Sequence, residues 1–110
     1  MNKKNWVNLA IIATVILIAY IIINLPTPTA SKTEAQCIGI NSILYTQIGC
    51  HACETQKEMF GGNYQYLNAI DCTNEPEKCS EISKTPTWVI EEEQYLGVQS
   101  LEELKKLTGC

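Results

Sequence analysis

The sequence of 110 residues contains no arginine and a single histidine. Lys3 and Lys4 are two of its eight lysines, so six lysines follow Leu25, where all twelve Asp and Glu residues lie. Binding to nucleic acid depends on basic side chains that neutralise phosphates, and no basic stripe is present here. The composition therefore predicts no nucleic-acid partner.

Charged residues are also absent from residues 6–25. Twenty residues in a helix extend about 30 Å, which matches the hydrocarbon core of a bilayer. We therefore predict a transmembrane anchor over residues 6–25. Because Lys3 and Lys4 precede it, the positive-inside rule places residues 1–5 in the cytoplasm and everything after Leu25 outside. The expected location is the cell membrane, with one span and an extracytoplasmic domain.

A cleaved secretory signal is the alternative to this anchor, since a basic start and an apolar run are common to both. The apolar run is longer than a usual signal core, and Pro28 occupies a position where cleavage after Ala30 would want a small residue. No lipobox cysteine follows the run. Either interpretation exports the rest of the chain.

The segment that follows the apolar run is rich in Pro, Ser and Thr. Such a composition favours an extended tether over a packed element. We predict an extracytoplasmic linker over residues 26–36 and one folded domain over residues 37–110.

Six cysteines lie in this short exported part of the chain. An even number of cysteines suits an oxidising compartment and a core that is small for independent stability. Disulfides are therefore the expected covalent staples, at positions Cys37, Cys50, Cys53, Cys72, Cys79 and Cys110.

Cys50 and Cys53 form a Cys-x-x-Cys motif directly after a β-branched and aromatic run. At the start of a helix, free amide groups and the macrodipole stabilise a thiolate. Thiol-disulfide exchange needs an attacking thiolate and a second thiol that resolves the mixed disulfide. Cys50 fits the first role and Cys53 the second. His51, when protonated, would favour an oxidising pair; the alternative is an exposed spacer without this effect.

Thr85 and Pro86 precede a β-rich run about thirty residues later. A cis bond before Pro86 would expose backbone groups that can hold an extended substrate beside Cys50. An ordinary trans turn before a strand is the alternative. The two residues are candidate substrate-binding residues.

The predicted fold class is α/β, in the order β-α-β-α-β-β-α after one transmembrane helix. The pattern predicts strands over Ile43–Thr46, 66–71, Thr87–Ile90 and 94–96. It predicts helices over 50–60 and 75–82, the second capped by Asn74, and a charged hairpin turn at 91–93. A capping box at Ser100 begins the last helix, whose face carries Leu101, Leu104 and Leu107, and Gly109 ends it.

These motifs together resemble the thioredoxin superfamily, and most closely the thioredoxin-like domain associated with bacterial and archaeal homologues of vitamin K epoxide reductase. The likeness spans about residues 43–109 and is carried by 45–61, 85–90 and 95–104. It implies that Cys50 is the nucleophile, Cys53 the resolving thiol and Pro86 a cis-proline facing them. It also implies no cofactor beyond the redox-active disulfide, and a quinone-dependent membrane partner that reoxidises it. Gly49 departs from the aromatic residue that is common at its position.

The remaining four cysteines allow more than one pairing. Related domains suggest a Cys72–Cys79 bridge, which would contribute about 2 to 3 kcal/mol in the chain-entropy model. By elimination, Cys37 and Cys110 form the second bridge, which would contribute about 4 to 5 kcal/mol. The alternative is that Cys72 and Cys79 relay electrons to the Cys-x-x-Cys pair.

The expected function is a membrane-anchored thiol:disulfide oxidoreductase that oxidises thiols of substrate proteins, since the exported location offers no evident reducing supply. A reductase or isomerase of the same fold is the first alternative. The others are not enzymes: a disulfide-stapled interaction domain, and a zinc module that uses Cys50, Cys53, Cys72 and Cys79.

Overall fold

The computed structural model describes residues 2–25 and 29–110. Helix α1, Lys3–Ile23, contains 21 residues, and none of them is buried. Among the described residues it is the one helix long and apolar enough to cross a membrane. The predicted span of 6–25 is thus a helix that begins three residues earlier and ends two residues sooner. Residues 26–28 of the predicted linker lie outside the described part.

The folded unit begins earlier than the sequence analysis predicted. The first five of the ten residues of helix α2, Lys32–Asn41, lie within the stretch expected to be linker, and the helix buries Ala35 and Ile38. Ser31 and Glu34 form a reciprocal capping box at its start, which satisfies amide groups that would otherwise lack a partner. Ala30 is only 2% exposed. The boundary at residue 37 is therefore wrong, because burial and capping start at about residue 30.

Four short strands form one mixed sheet in the order β2-β1-β3-β4. They are β1 Ile43–Thr46, β2 Ala69–Asp71, β3 Thr87–Ile90 and β4 Glu93–Leu96. β1 is parallel to β2 and antiparallel to β3, and β3 and β4 form an antiparallel hairpin. The predicted bounds of β1 and β3 are confirmed, and β4 begins one residue earlier than expected.

Two further α-helices lie where the sequence predicted helices. Helix α3, His51–Glu58, begins at the N-cap Cys50, and helix α4, Leu101–Thr108, is capped by the Ser100 side chain, which accepts a hydrogen bond from the Glu103 N–H. Gly109 ends α4 with a φ of 76°, a left-handed conformation that glycine adopts without steric cost.

The core lies between the helices and one face of the sheet. Leu44, Trp88 and Ile90 line that face, and Ile38, Phe60 and Leu104 pack against them from the helical side. Since strand side chains alternate between faces, Val89 and Tyr45 lie on the opposite face and are half-buried. Burial of this kind stabilises by about 25 cal/mol per Å² of apolar surface removed from water.

Two predicted elements differ from the structure. The strand expected over 66–71 is shortened because Gly61–Tyr66 forms a 3-10 helix on which α2 packs, with Gly39 against the Tyr66 carbonyl. The helix expected over 75–82 is a 3-10 turn, Pro76–Cys79, inside the loop closed by the Cys72–Cys79 disulfide. Asn74 does not cap it; its side chain donates to Asp71 instead.

Candidate functional site

Cys50 and Cys53 form a disulfide at the N-terminus of α3, with their Cα atoms 5.2 Å apart. Cys50 is the N-cap residue and is partly exposed, whereas Cys53 lies one turn inside the helix and is 5% exposed. The Cys50 sulfur accepts a hydrogen bond from the Cys53 N–H at 3.1 Å. A helix N-terminus stabilises negative charge, so this position favours a thiolate at Cys50 after reduction.

The loop before the motif explains the glycine that departs from the resembled family. Gly49 has a φ of 80°, which side chains with a Cβ rarely adopt. The N–H of Cys50 donates to the Gln47 carbonyl, and the N–H of Ile48 donates to the Thr73 side chain. The loop therefore turns sharply out of β1, and Gly49 allows Cys50 to cap α3.

Thr85 and Pro86 lie beside the Cys50–Cys53 disulfide. The carbonyl oxygen of Thr85 is 3.5 Å from the Cys50 sulfur, and the Thr85–Pro86 peptide bond is cis. Pro86 is buried, and its carbonyl accepts a hydrogen bond from the Gly97 N–H at 2.8 Å. The structure thus brings Thr85 and Pro86 next to Cys50 and Cys53, although Thr85 lies 35 residues after Cys50 in the sequence.

His51 is the first residue of α3, and its side chain is exposed. Its carbonyl accepts a hydrogen bond from the Thr55 hydroxyl at 3.3 Å. His51 directly follows Cys50 in the sequence. The geometry is compatible with both roles considered for this residue.

Gln56 belongs to the site and was not predicted. It is fully buried, three residues after Cys53 on the inner face of α3. Its side-chain oxygen accepts hydrogen bonds from the Trp88 indole N–H at 3.0 Å and from the Gln99 N–H at 2.7 Å. Its side-chain NH₂ donates to the Gln99 carbonyl at 3.0 Å. The sequence signal for its burial was the helical spacing of this polar residue from two apolar ones, Cys53 before it and Phe60 after it.

A cavity of about 330 Å³ opens behind the motif and is lined by Cys53, Glu54, Lys57, Tyr64 and Asp71, among others. Burial raises the pKa of Tyr64, a hydrogen bond to Thr46 opposes this, and the nearby carboxylates of Glu54 and Asp71 add to the rise. The Lys57 ammonium lies 5.2 Å from the centre of the Tyr64 ring. Cys53 therefore borders a cavity that also holds the ionisable side chains of Glu54, Lys57 and Asp71.

The other four cysteines form the pairs expected from the sequence. Cys37 is bonded to Cys110 and Cys72 to Cys79, with Cα separations of 6.0 and 5.7 Å. A smaller cavity of about 220 Å³ is lined by Cys72, Cys79 and Thr85, so the Cys72–Cys79 disulfide lies near the segment that borders Cys50. The four sulfurs considered for a zinc site are thus held in two separate disulfides.

No protein-family model matches this chain.

Proposed function

We propose that this chain is a membrane-anchored, extracytoplasmic thiol:disulfide oxidoreductase with a thioredoxin-like fold. The observation that carries the proposal is the placement of the Cys50 sulfur. It is partly exposed at a helix N-terminus, it is bonded to the buried Cys53, and it lies 3.5 Å from the Thr85 carbonyl. A disulfide that only stabilised the fold would need neither an exposed Cys50 sulfur nor the main chain of Thr85 beside it.

The arrangement of the elements supports the thioredoxin-like part of this proposal. A parallel β1/β2 pair, joined through the helix that carries the motif, is followed by an antiparallel β3/β4 hairpin and a final helix. This order differs from the expected β-α-β-α-β-β-α in that the 3-10 turn Pro76–Cys79 replaces the helix between β2 and β3. The additional helix α2 completes the core without altering that order.

The proposed reaction is oxidation of a substrate dithiol by the Cys50–Cys53 disulfide. A substrate thiolate attacks the Cys50 sulfur, the Cys50–Cys53 bond breaks, and Cys53 leaves with the electron pair and takes up a proton. The second substrate thiolate then attacks the substrate sulfur of the mixed disulfide and releases Cys50. The substrate gains a disulfide and loses two electrons, and the enzyme pair becomes a dithiol.

The asymmetry of the pair supports this division of roles. Attack is directed at the sulfur that a protein substrate can reach, and Cys50 is the more exposed of the two. An extended substrate can lie along the main chain of Thr85, because that segment borders the Cys50 sulfur. Ile48, 68% exposed, and Val98, 37% exposed, offer apolar surface on the loops next to Cys50 and Gly97.

Catalytic turnover requires an acceptor for the two electrons held by the reduced pair. The resemblance points to a quinone-dependent membrane protein similar to vitamin K epoxide reductase, and an apolar helix at the N-terminus would keep the domain near such a partner. Electron flow in the opposite direction, as in a reductase or isomerase, uses the same two sulfurs. Oxidation is favoured because the proposed exported location offers no evident reducing supply.

The test is a trapping experiment in cells with the Cys53→Ser variant of the full chain. The Cys50 thiolate of this variant attacks disulfides of partner proteins and breaks their S–S bond, and because Cys53 is absent to displace the partner, mixed disulfides on Cys50 should accumulate and separate as reducible bands on a gel. Captured partners should include substrate proteins and a membrane protein with several spans. The Cys50→Ser/Cys53→Ser variant should capture nothing.

The Cys79→Ser variant is a matched control because it also leaves one unpaired cysteine, Cys72, in an exported domain. It should trap far less than Cys53→Ser. Equal trapping by both variants, or none by Cys53→Ser, would refute the oxidoreductase and leave a disulfide-stapled domain as the better description.

A further inference from the structure

The connection between the apolar helix and the folded domain is much shorter than the sequence suggests. α1 ends at Ile23, and Asn24 closes it with its backbone N–H and its side-chain NH₂, both bonded to the Tyr20 carbonyl. The domain begins at Ala30, whose N–H donates to the Met59 carbonyl at 3.0 Å and whose carbonyl accepts from the Asn63 side chain at 3.0 Å. Both ends of the connection are therefore fixed.

Covalent geometry sets an upper limit on this connection without reference to its conformation. Asn24 and Ala30 are six residues apart, and a fully extended chain covers at most about 3.6 Å per residue, or about 22 Å in total. Had the folded unit begun at residue 37, as the composition suggested, the same limit would be about 47 Å. Because Ala30 and α2 pack on the domain, the maximum length of the connection is less than half of what the sequence suggested.

The same contacts place the reactive sulfur relative to the attachment point. Ala30 is bonded to Met59, at the C-terminal end of α3, whereas Cys50 caps the N-terminal end of that helix. Nine residues of helix at 1.5 Å each separate these two ends by about 14 Å. Adding this length and a few ångströms for the contact to the 22 Å limit keeps Cys50 within about 40 Å of the end of α1.

We infer that, among proteins held in the same membrane, Cys50 reacts with thiols that lie within about 40 Å of the end of α1. The inference rests on the proposed function and on insertion of α1 in a bilayer. A short connection raises the local concentration of Cys50 close to the membrane surface. It also prevents Cys50 from reaching thiols that membrane proteins hold farther from that surface. The connection thus selects substrates by height, independently of the sequence around their cysteines.

The test uses the full chain in lipid vesicles and two membrane peptides that differ in height alone. In each peptide a transmembrane helix continues as a stalk of Glu-Ala-Ala-Ala-Lys repeats that ends in a pair of cysteines. Stalks of about 15 and 55 residues present the dithiol at about 22 and 82 Å, since such repeats extend about 1.5 Å per residue. Alkylation and mass spectrometry follow oxidation of the dithiols.

We expect the short peptide to be oxidised at least about tenfold faster than the tall one in vesicles, because the tall dithiol lies outside the reach of Cys50. Insertion of about 40 Gly and Ser residues between Leu25 and Pro26 should bring the two rates within about threefold of each other. In detergent, where no membrane is shared, both peptides should react at equal rates with both forms of the chain.

The outcomes separate this inference from the proposed function. Equal rates in vesicles, or a tall-peptide rate that the insertion does not raise, would overturn height selection while oxidation in detergent persists. Absence of oxidation in detergent would overturn the oxidoreductase itself, and the inference with it.

Discussion

The side-chain oxygen of Gln56 accepts a hydrogen bond from the Trp88 indole N–H at 3.0 Å. Gln56 lies on α3 behind Cys53, and Trp88 lies on β3 two residues after Pro86. The same oxygen accepts from Gln99, which follows the Gly97 that donates to Pro86. One buried amide therefore fixes the helix that carries the two sulfurs against the strand and loop that hold the proline.

Replacement of Gln56 by Leu should lower the free energy of unfolding by about 2 to 3 kcal/mol, because the buried indole N–H of Trp88 and the partly buried N–H of Gln99 lose their acceptor. Denaturant unfolding monitored by tryptophan fluorescence measures the change. Gln65→Leu is the matched control, since Gln65 is exposed and should change stability by less than about 0.5 kcal/mol. Equal effects of the two substitutions would contradict a structural role for the Gln56 network.

Alkylation of the reduced protein should distinguish the two sulfurs of the motif. Cys50 is partly exposed and Cys53 is 5% exposed, so iodoacetamide should modify Cys50 at least about tenfold faster. Peptide mapping after brief labelling of a sample reduced only at this pair gives the ratio. Comparable labelling of both cysteines in the folded protein would contradict the proposed division into an accessible Cys50, which forms the mixed disulfide, and a buried Cys53, which leaves.

Local sequence signals predicted the strands β1 and β3 and the end of α4. They did not predict the parts of the fold that depend on tertiary packing. β1, β3 and the end of α4 at Gly109 follow from residue types that have a direct backbone preference. The Ser31 and Glu34 capping box was also present in the sequence, but Pro and Thr around it favoured a tether. Burial of Ala30 depends on contacts with Met59 and Asn63, distant residues that no local pattern reveals.

Gln56 was missed for a related reason. Glutamine is usually exposed in helices, and its burial depends on donors supplied by β3 and by the loop at Gln99. The 3-10 helix Gly61–Tyr66 likewise depends on the close approach of α2, which only the absence of a side chain at Gly39 permits. The candidate site was therefore predictable in its reactive residues but not in the residue that supports them.

Substitution of two residues in the turn of the β3/β4 hairpin should stabilise the protein. Glu91 and Glu92 have φ values of 52° and 68°, a left-handed conformation that disfavours glutamate. Two-residue hairpin turns with positive φ at both positions prefer Asn-Gly. The Glu91→Asn/Glu92→Gly variant should raise the free energy of unfolding by about 1 to 2 kcal/mol in denaturant titrations.

A charge-matched control separates conformation from charge in this hairpin. Glu91→Gln/Glu92→Gln removes the same two negative charges and keeps side chains that disfavour positive φ. If this control stabilises the protein as much as the Asn-Gly variant, repulsion between charges, and not backbone conformation, determines the stability of the turn.

The two outer disulfides should differ in their contribution to stability. The Cys37–Cys110 bridge joins residues 73 apart, and the Cys72–Cys79 bridge joins residues seven apart. In the chain-entropy model the first contributes about 4 to 5 kcal/mol and the second about 2 to 3 kcal/mol. Thermal unfolding of the two double-serine variants should therefore show the larger loss for Cys37→Ser/Cys110→Ser; the reverse order would exclude loop length as the main cause.

The pH dependence of stability should report the anchoring of α2. Hydrogen bonds from Lys105 and Ser31 lower the pKa of Glu34 below its usual 4.5, and the Lys105 ammonium lies 3.1 Å from the carboxylate. A carboxyl with a lowered folded-state pKa contributes stability above its unfolded pKa, and this contribution disappears as the pH falls through the folded value. Glu34→Gln should therefore be less stable than the unaltered chain at pH 7, and the difference should shrink towards pH 3.

Because the Glu34 side chain is partly exposed to solvent, the difference at pH 7 should be small and should decrease at high salt. Denaturant titrations at pH 7, 5 and 3 measure it, with Glu102→Gln in the first turn of α4 as the control for loss of an exposed helix carboxylate. A Glu34→Gln difference that stays constant with pH would show that the side chain acts through the cap geometry at Ser31 and not through its charge.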